Sequence, residues 1–325
     1  MKALVTGSTG FIGSHLVDEL LNSGYKVKAL IRKTSNTKYL ENKPVETTIG
    51  DITDPKSLVK ATKDTDVVFH VAAIASEWGP MKKFININTN GTKNMIQACT
   101  ENKIRRLIHM SSCAVYGFPK TNEPIAENYK KNPPGKYGRT KYEAEKILWE
   151  QAKEKNIEVS AVRSPMIIGE RDEMISIFII NALKSQKFRF IGDGNQKISI
   201  SNGKDVAYLL RLTAEKQKAI GQAYNVKSFE STPKKLINAM CEKLEIKPPE
   251  ENVSYTTAYM LATLLEAIYA LRKKPNPPAL TKYKVIVMGN TRIIDTTKAE
   301  KDLGYKPKYS FQKTIDEIYN WYQEK

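Results

Sequence analysis

Little in this chain suits it to hold a metal or a covalent cross-link. Three cysteines, Cys99, Cys113 and Cys241, stand in 325 residues, with no C-x-x-C pair and no cysteine–histidine spacing. That excludes a disulfide framework and a zinc site, so no metal is expected, and such cysteine usage fits a reducing, cytoplasmic compartment. Long apolar runs are also missing. The longest, Tyr255–Leu271, falls short of the roughly 20 residues of a membrane span and carries Glu266, so no integral membrane segment is expected. Strand-forming residues begin at Ala3, so no signal peptide is expected. Acidic residues are outnumbered by basic ones, 35 against 52, for a formal charge of +17. A nucleic-acid footprint should cluster; these lysines are scattered along the whole chain, so the excess reads as a Lys-rich surface and no nucleic acid is expected. At 41% hydrophobic residues the composition excludes a disordered or fibrous protein, and the length implies one large or two interlocked domains.

What is present is an alternation. Ala3–Thr6 reads as a strand, Phe11 to Leu21 as an apolar-periodic helix closing at Asn22–Gly24, and Val27–Ile31 as a second strand, which makes a βαβ unit. Val45–Ile49, Asp66–Val71, Leu107–Met110 and Val159–Arg163 continue as strands; Pro55–Thr62, Asn88–Glu101 and Tyr137–Lys155 continue as helices. The pattern predicts an α/β fold with a doubly wound parallel Rossmann sheet. Beyond Ser164 the rhythm breaks, with proline-rich joints at Pro248–Pro249 and Pro275–Pro278. Residues 1–164, joined by about 205–228, are expected to bind a dinucleotide, and 165–325 to form mainly a smaller C-terminal substrate-binding lobe.

Three constellations carry chemistry. Gly7-Ser8-Thr9-Gly10-Phe11-Ile12-Gly13 follows a strand and opens a helix. Gly7 permits the tight turn, Gly10 lets a pyrophosphate approach the backbone, and Gly13 allows close helix–strand packing, while the helix N-terminus offers free N–H groups. Thr9, Phe11 and Ile12 belong to the same predicted cofactor contact. Tyr137 and Lys141, four residues apart, lie on one helix face, where an ammonium would favour phenolate and lower the tyrosine pKa for acid–base work on an alcohol or ketone. Ser111-Ser112 follows the strand Leu107–Met110, where a hydroxyl can bond the substrate oxygen. The second strand ends in Arg32-Lys33-Thr34-Ser35 with no acidic residue before Glu41. A carboxylate there would bond a ribose 2′-hydroxyl and repel a 2′-phosphate, whereas Arg32, aided by Lys33 or Ser35, can grip that phosphate. NADP(H) is therefore expected over NAD(H); the competing reading has Arg32 stacked on adenine and tolerant of either.

Taken together, VTGSTGFIGSHLV from Val5, Gly50–Asp51, HVAA at His70–Ala73, NTNGTKN at Asn88–Asn94, SSCAVYG, YGRTK and LGYKP at Leu303–Pro307 resemble the extended short-chain dehydrogenase/reductase family, also called the NAD-dependent epimerase/dehydratase family. The resemblance implies a catalytic triad of Ser112, Tyr137 and Lys141, with Asn88 positioning the lysine through water. It chooses Ser112 over Ser111 because it stands five positions before Gly117. It also implies Asp51 and Ile52 at the adenine, Val71, Ala72 and Ala73 at the ribose and nicotinamide, and Pro165 and Ile167 walling the nicotinamide. His70 reads as a packed strand histidine. The family usually has Arg-Pro in this last segment; here Ser164 separates Arg163 from Pro165.

No Asp-Glu pair stands at Ser112–Cys113, which disfavours a sugar 4,6-dehydratase. Ala75–Pro80, Phe84–Asn88 and the stretch from Tyr255 to LGYKP are similar to the 3β-hydroxysteroid dehydrogenase branch. That likeness implies an oxidoreductase of a hydrophobic, steroid-, lipid- or flavonoid-like small molecule, with Trp78, Met166, Met174 and Phe178 beside Ser112 at the substrate. The alternatives are a nucleotide-sugar epimerase with retained NAD and a non-catalytic cofactor-sensing regulator. The helices at Asn88–Glu101 and Tyr137–Lys155 resemble those that pair in family homodimers, with Tyr142 and Trp149 either at that interface or packed within the subunit.

Overall fold

The computed structural model describes residues 1–119, 121 and 123–325. Its first half runs β1 (Lys2–Thr6), α1 (Phe11–Asn22), β2 (Lys26–Ile31), β3 (Val45–Ile49), α2 (Pro55–Thr62), β4 (Val67–His70), α3 (Met81–Phe84), α4 (Gly91–Glu101), β5 (Arg106–Met110), α5 (Gly135–Lys155) and β6 (Glu158–Arg163). Local chemistry accounts for several of these limits. Asp54 accepts a hydrogen bond from the Lys56 N–H and Pro55 opens α2, a favoured helix start. Every residue of β4 and β5 is buried, as strands covered on both faces require.

The second half runs β7 (Met166–Ile168), α6 (Ile175–Lys184), β8 (Phe190–Ile191), β9 (Ile198–Asn202), α7 (Gly203–Glu215), β10 (Gln222–Asn225), β11 (Phe229–Ser231), α8 (Pro233–Lys243), β12 (Asn252–Val253), α9 (Tyr255–Leu271), α10 (Lys282–Gly289), α11 (Thr297–Leu303) and α12 (Phe311–Gln323). Seven strands make one sheet in the order β10-β6-β5-β4-β1-β2-β3, every pair parallel. β7, β9 and β11 form a second small sheet, and β8 pairs with β12. The seven-stranded sheet is the doubly wound α/β arrangement. Its strand order reverses between β1 and β4, and the crevice outside the carboxyl ends of those strands is where ligands of such sheets bind.

Two apolar layers cover the sheet. One packs Leu16, Leu20, Val206 and Leu210 from α1 and α7; the other packs Leu58, Met95, Ile96 and Leu148 from α2, α4 and α5. A third core, with Ile180, Ile200, Leu236 and Ile315, holds the later elements together. One sequence expectation needs correction. The helix expected at Asn88 starts earlier, at Met81, and passes through a π-helical stretch, Ile85–Asn90, before α4. Such a bulge breaks the 3.6-residue period from which helix limits are read, and it turns the buried Asn88 inward.

Candidate active site

At the switch point Gly7 sits at φ +67°, a left-handed conformation, and a side chain there would press into the Ala72 backbone at 2.9 Å. At Gly13 a Cβ would fall 2.0 Å from the Gly7 carbonyl oxygen, so α1 rests directly on the turn. Gly10 caps α1 in extended backbone without a side-chain cap, and the first turn holds no acidic residue. The leading N–H groups of α1 therefore point into an unobstructed glycine cradle at a positive dipole end. That donor set suits a pyrophosphate. Behind it the Thr6 hydroxyl accepts from the Val71 and Ala72 N–H groups at 3.1 and 3.0 Å, which fixes those two residues beside the cradle, while Ala73 is exposed. Arg32 and Lys33, just past β2, are exposed and make no ion pair among the described residues. Ser35 accepts from the Arg32 N–H at 3.0 Å, so its hydroxyl serves the turn. Asp51 accepts from the N–H and hydroxyl of Thr53, and Ile52 packs against Gly91.

Ser111 and Ser112 have opposite fates. Ser111 donates to the buried Glu145 carboxylate, which also receives the Arg163 guanidinium through Nε at 2.9 Å and Nη2 at 2.5 Å. Arg163 continues to the Tyr116 hydroxyl at 2.9 Å, and that hydroxyl donates to Asn225 at 2.7 Å. Ser112 caps the short 3-10 turn Cys113–Tyr116, its hydroxyl accepting from the Ala114 N–H at 3.1 Å. Burial raises the Tyr137 phenol above its usual range; Ser112 pulls it back, while Glu77 and Cys113 push it up.

Lys141 is buried at the end of β5, donating to the Met110 carbonyl and lying 3.3 Å from His109 Nε2. Desolvation lowers its ammonium to about 8, against an upward pull from Glu145. The expectation that Lys141 depresses the Tyr137 pKa is thus corrected: burial of the phenol dominates, and the ammonium is held toward β5. Asn88 accepts from the Ile74 N–H at 2.8 Å and donates to Thr140 at 3.1 Å, so direct bonds join it to the residue before Lys141.

Several groups around this pair escape sequence reading. Glu77 accepts from the Lys136 N–H at 2.8 Å, and the N–H groups of Tyr137 and Gly138 also hold its carboxyl down against burial, which raises it. It therefore caps α5, whose own N-cap, Pro134, has no side chain to do so. Tyr283 of α10 is raised by burial, lowered by Arg292 and raised by Tyr137, Glu77 and Cys113, which lie near enough to act on it. Its ring meets Phe118 edge-on at 5.8 Å, and the Arg292 guanidinium stands 4.9 Å over Phe118 with a buried Nη1 that has no hydrogen-bond partner among the described residues. None of these contacts leaves a local sequence signal.

The expected substrate residues divide. The Trp78 indole N–H donates to the Lys274 carbonyl at 3.0 Å and its ring meets Tyr269 at 6.3 Å, so Trp78 ties the loop after β4 to the end of α9 rather than standing free. Pro165 is buried; Met166 and Ile167 are half-buried. Met174 and Phe178 are exposed, with the Lys284 ammonium 3.7 Å over the Phe178 ring, while Ile179 and Ile180 face the core. Tyr142 and Trp149 both pack partly against clusters of their own subunit.

All three histidines are buried. Burial lowers His15 to about 4 and His70 to about 3, and takes His109 well below 6.5. A depressed histidine makes the unfolded chain the better proton acceptor below its unfolded pKa, so stability falls as pH falls from 6.5 toward 4. Each contributes a slope of about 1.4 kcal/mol per pH unit over that window. The raised carboxyls of Glu77, Glu127, Asp172 and Asp205 act in the opposite sense. Urea midpoints measured from pH 7 to 4.5 should drop, and His109→Gln should flatten the decline; an unchanged slope in that variant would contradict the buried neutral state.

The chain matches the NAD dependent epimerase/dehydratase family over residues 3–226. It belongs to that family. Its relatives include the 2-alkyl-3-oxoalkanoate reductase of Stenotrophomonas maltophilia (strain K279a), 27% identical over 97% of both chains. The decarboxylating sterol-4-alpha-carboxylate 3-dehydrogenase of Mus musculus is 28% identical over 97% of this chain and 89% of its own. Among solved structures, gox2253 superposes with a TM-score of 0.84 at 26% identity, covering 99% of this chain and 98% of its own. A UDP-glucuronic acid 4-epimerase from Bacillus cereus, in complex with NAD, shares the fold with a TM-score of 0.79 at 24% identity, covering 100% and 99%. The relatives of this chain thus carry the names of reductases and dehydrogenases, and a putative UDP-glucose 4-epimerase of Methanocaldococcus jannaschii is 29% identical over 98% of this chain and 97% of its own.

Proposed function

We propose that this family member is an NAD(P)-dependent oxidoreductase that moves hydride between a nicotinamide cofactor and a secondary alcohol or ketone on a hydrophobic body. The observation that carries this reading is the glycine cradle at the switch point of the sheet, with Lys141 buried against the end of β5 and Ser112 capping the turn that follows that strand. The Gly7–Gly13 turn would hold the pyrophosphate, Asp51 and Ile52 the adenine side, and Val71 to Ala73 with Lys141 the nicotinamide ribose. When bound, the cofactor supplies or accepts the hydride.

In the reductive direction Tyr137 gives its phenolic proton to the carbonyl oxygen as that carbon becomes an alcohol. A phenol raised by burial stays protonated at neutral pH, the state an acid requires. Ser112 donates to the same oxygen and orients it. Ser111, locked on Glu145, is not available for that role. The names of the reductase and dehydrogenase relatives support an apolar body bearing a carboxylate near the reacting carbon, and the guanidinium of Arg292, whose buried Nη1 has no hydrogen-bond partner among the described residues, supports an acidic group on this substrate. The pairing of α4 and α5 across a homodimer is part of the same proposal. A nucleotide-sugar epimerase is the alternative, and it would keep its cofactor through the cycle.

The test is net oxidation of reduced nicotinamide, followed by absorbance, across a panel of 3-oxo acids, neutral ketones and nucleotide sugars. Turnover of a ketone with release of cofactor supports the reading. Stoichiometric nicotinamide retained through purification, with equilibration of a UDP-sugar, would replace it. For cofactor choice, kcat/KM with NADPH should exceed that with NADH, and Arg32→Ala should collapse the ratio, because a guanidinium beside a 2′-phosphate makes charge-assisted bonds that a 2′-hydroxyl does not. A wild-type ratio below one, or one the substitution leaves alone, would defeat the NADP assignment.

A further inference from the structure

A neutral histidine ring offers one N–H donor and one bare acceptor nitrogen, and its hydrogen-bond partners decide which is which. All three histidines of this chain are buried, so the tautomer of each follows from its surroundings. His15 Nε2 lies 3.0 Å from the Glu170 carbonyl oxygen, which can only accept, so Nε2 carries the proton. His70 Nδ1 lies 3.0 Å from the Thr6 hydroxyl. That oxygen already accepts from the Val71 and Ala72 N–H groups, so it donates its own proton to the ring and the His70 proton sits on Nε2. His109 is the exception. Its Nε2 faces the Lys141 ammonium at 3.3 Å, and an ammonium only donates. The His109 proton is therefore on Nδ1. That nitrogen and His70 Nε2 are buried without a hydrogen-bond partner among the described residues, so neither has a contact that would reverse the assignment.

The surroundings keep the His109 ring neutral. His70 and His109 stand in register on β4 and β5, with ring centroids 5.6 Å apart. Burial, then Lys141, then His70 take His109 well below 6.5, and burial with Lys141 lowers His70 as well. Glu145, one turn along α5 from Lys141, is the acidic group that acts on the lysine, and Arg163 and Ser111 already hold it. The direct acceptors of the Lys141 ammonium among the described residues are thus the Met110 carbonyl and His109 Nε2, both uncharged. A carboxylate in place of the ring would raise the lysine; a neutral ring fixes it while burial still brings it to about 8. An ammonium has three protons, so two are directed at β5 and one is left for a group from outside the protein.

We propose that His109 is a positioning residue for Lys141: its neutral Nδ1–H tautomer presents a bare Nε2 that, with the Met110 carbonyl, fixes two of the three ammonium protons and leaves the third for the cofactor ribose. The role of Lys141 at the ribose rests on the reaction proposed above. The tautomer and the contact stand without it.

The experiment is long-range proton–nitrogen NMR of the full chain labelled with nitrogen-15 histidine, between about pH 8 and 6. Two Nε2–H rings and one Nδ1–H ring are expected, all neutral throughout, with the Nδ1–H ring vanishing in His109→Gln. A His109 that carries its proton on Nε2, or that is doubly protonated in this range, overturns the proposal. Cofactor titration followed by nicotinamide fluorescence, with whichever reduced cofactor binds tighter, gives a second readout that needs no turnover. His109→Phe keeps a ring but has no acceptor, and affinity should fall at least about tenfold, the usual worth of a hydrogen bond to a charged group. His109→Gln, whose amide oxygen can accept, should recover most of that loss. Wild-type affinity in His109→Phe, or an equal loss in both variants, overturns the positioning role. The tautomer readout decides even if His109→Phe does not fold, and a failure to turn over any ketone would remove the reaction while leaving both readouts in place.

Discussion

Tyr137→Phe is expected to cut turnover by about a hundred- to ten-thousandfold, the usual range for loss of a positioned acid–base group. Cofactor affinity by calorimetry should stay within a few-fold of wild type. The substitution removes one oxygen from a half-buried ring and leaves the glycine cradle and Lys141 untouched. In the proposed reduction the hydroxyl is the proton donor, and Ser112 alone has no proton acidic enough to replace it. Retention of a substantial fraction of turnover would remove Tyr137 from the chemistry.

The second large effect is on stability. Arg163 and Glu145 are 4% and 2% exposed at their side chains and meet through two guanidinium nitrogens. Arg163→Met should destabilise the fold by about 3–5 kcal/mol, because it strands a buried carboxylate along with the Ser111 and Tyr116 hydroxyls that depend on the network. Adding Glu145→Leu should recover part of the loss, since replacing both buried charges removes the stranded one. Urea unfolding of the two single variants and the double variant reads the coupling directly. Additive effects would mean that the pair does not act as a unit.

Sequence reasoning reached the sheet through short-range rules. Val45–Ile49 pairs with β2 along its whole length, and Pro55–Thr62 opens where Asp54 caps it and Pro55 begins it. The chain past β6 leaves the seven-stranded sheet for the small one at Ser164, where the alternation fails in the sequence too. The pattern went wrong at Asn88 because the π stretch breaks the period on which it relied. In the site, motif order named Ser112, Tyr137 and Lys141, but the neighbours that set their electrostatics were hidden. Glu77 caps α5 from 59 positions upstream, His109 lies 32 positions before Lys141, and Arg292 reaches the Phe118 ring from beyond α10. Such contacts follow from the fold and not from local spacing. The ties of Trp78 to Lys274 and Tyr269 are likewise long-range.

The central claim is that hydride leaves the cofactor for a substrate carbon while Tyr137 supplies the proton. Nicotinamide deuterated at its transferable position, incubated with the protein and the best ketone of the panel, tests it most directly by mass spectrometry of the product. The account predicts one deuterium on the carbinol carbon, an equal amount of oxidised cofactor, and neither with Tyr137→Phe. An unlabelled alcohol, or cofactor that stays bound and unconsumed while a nucleotide sugar changes configuration, would contradict it.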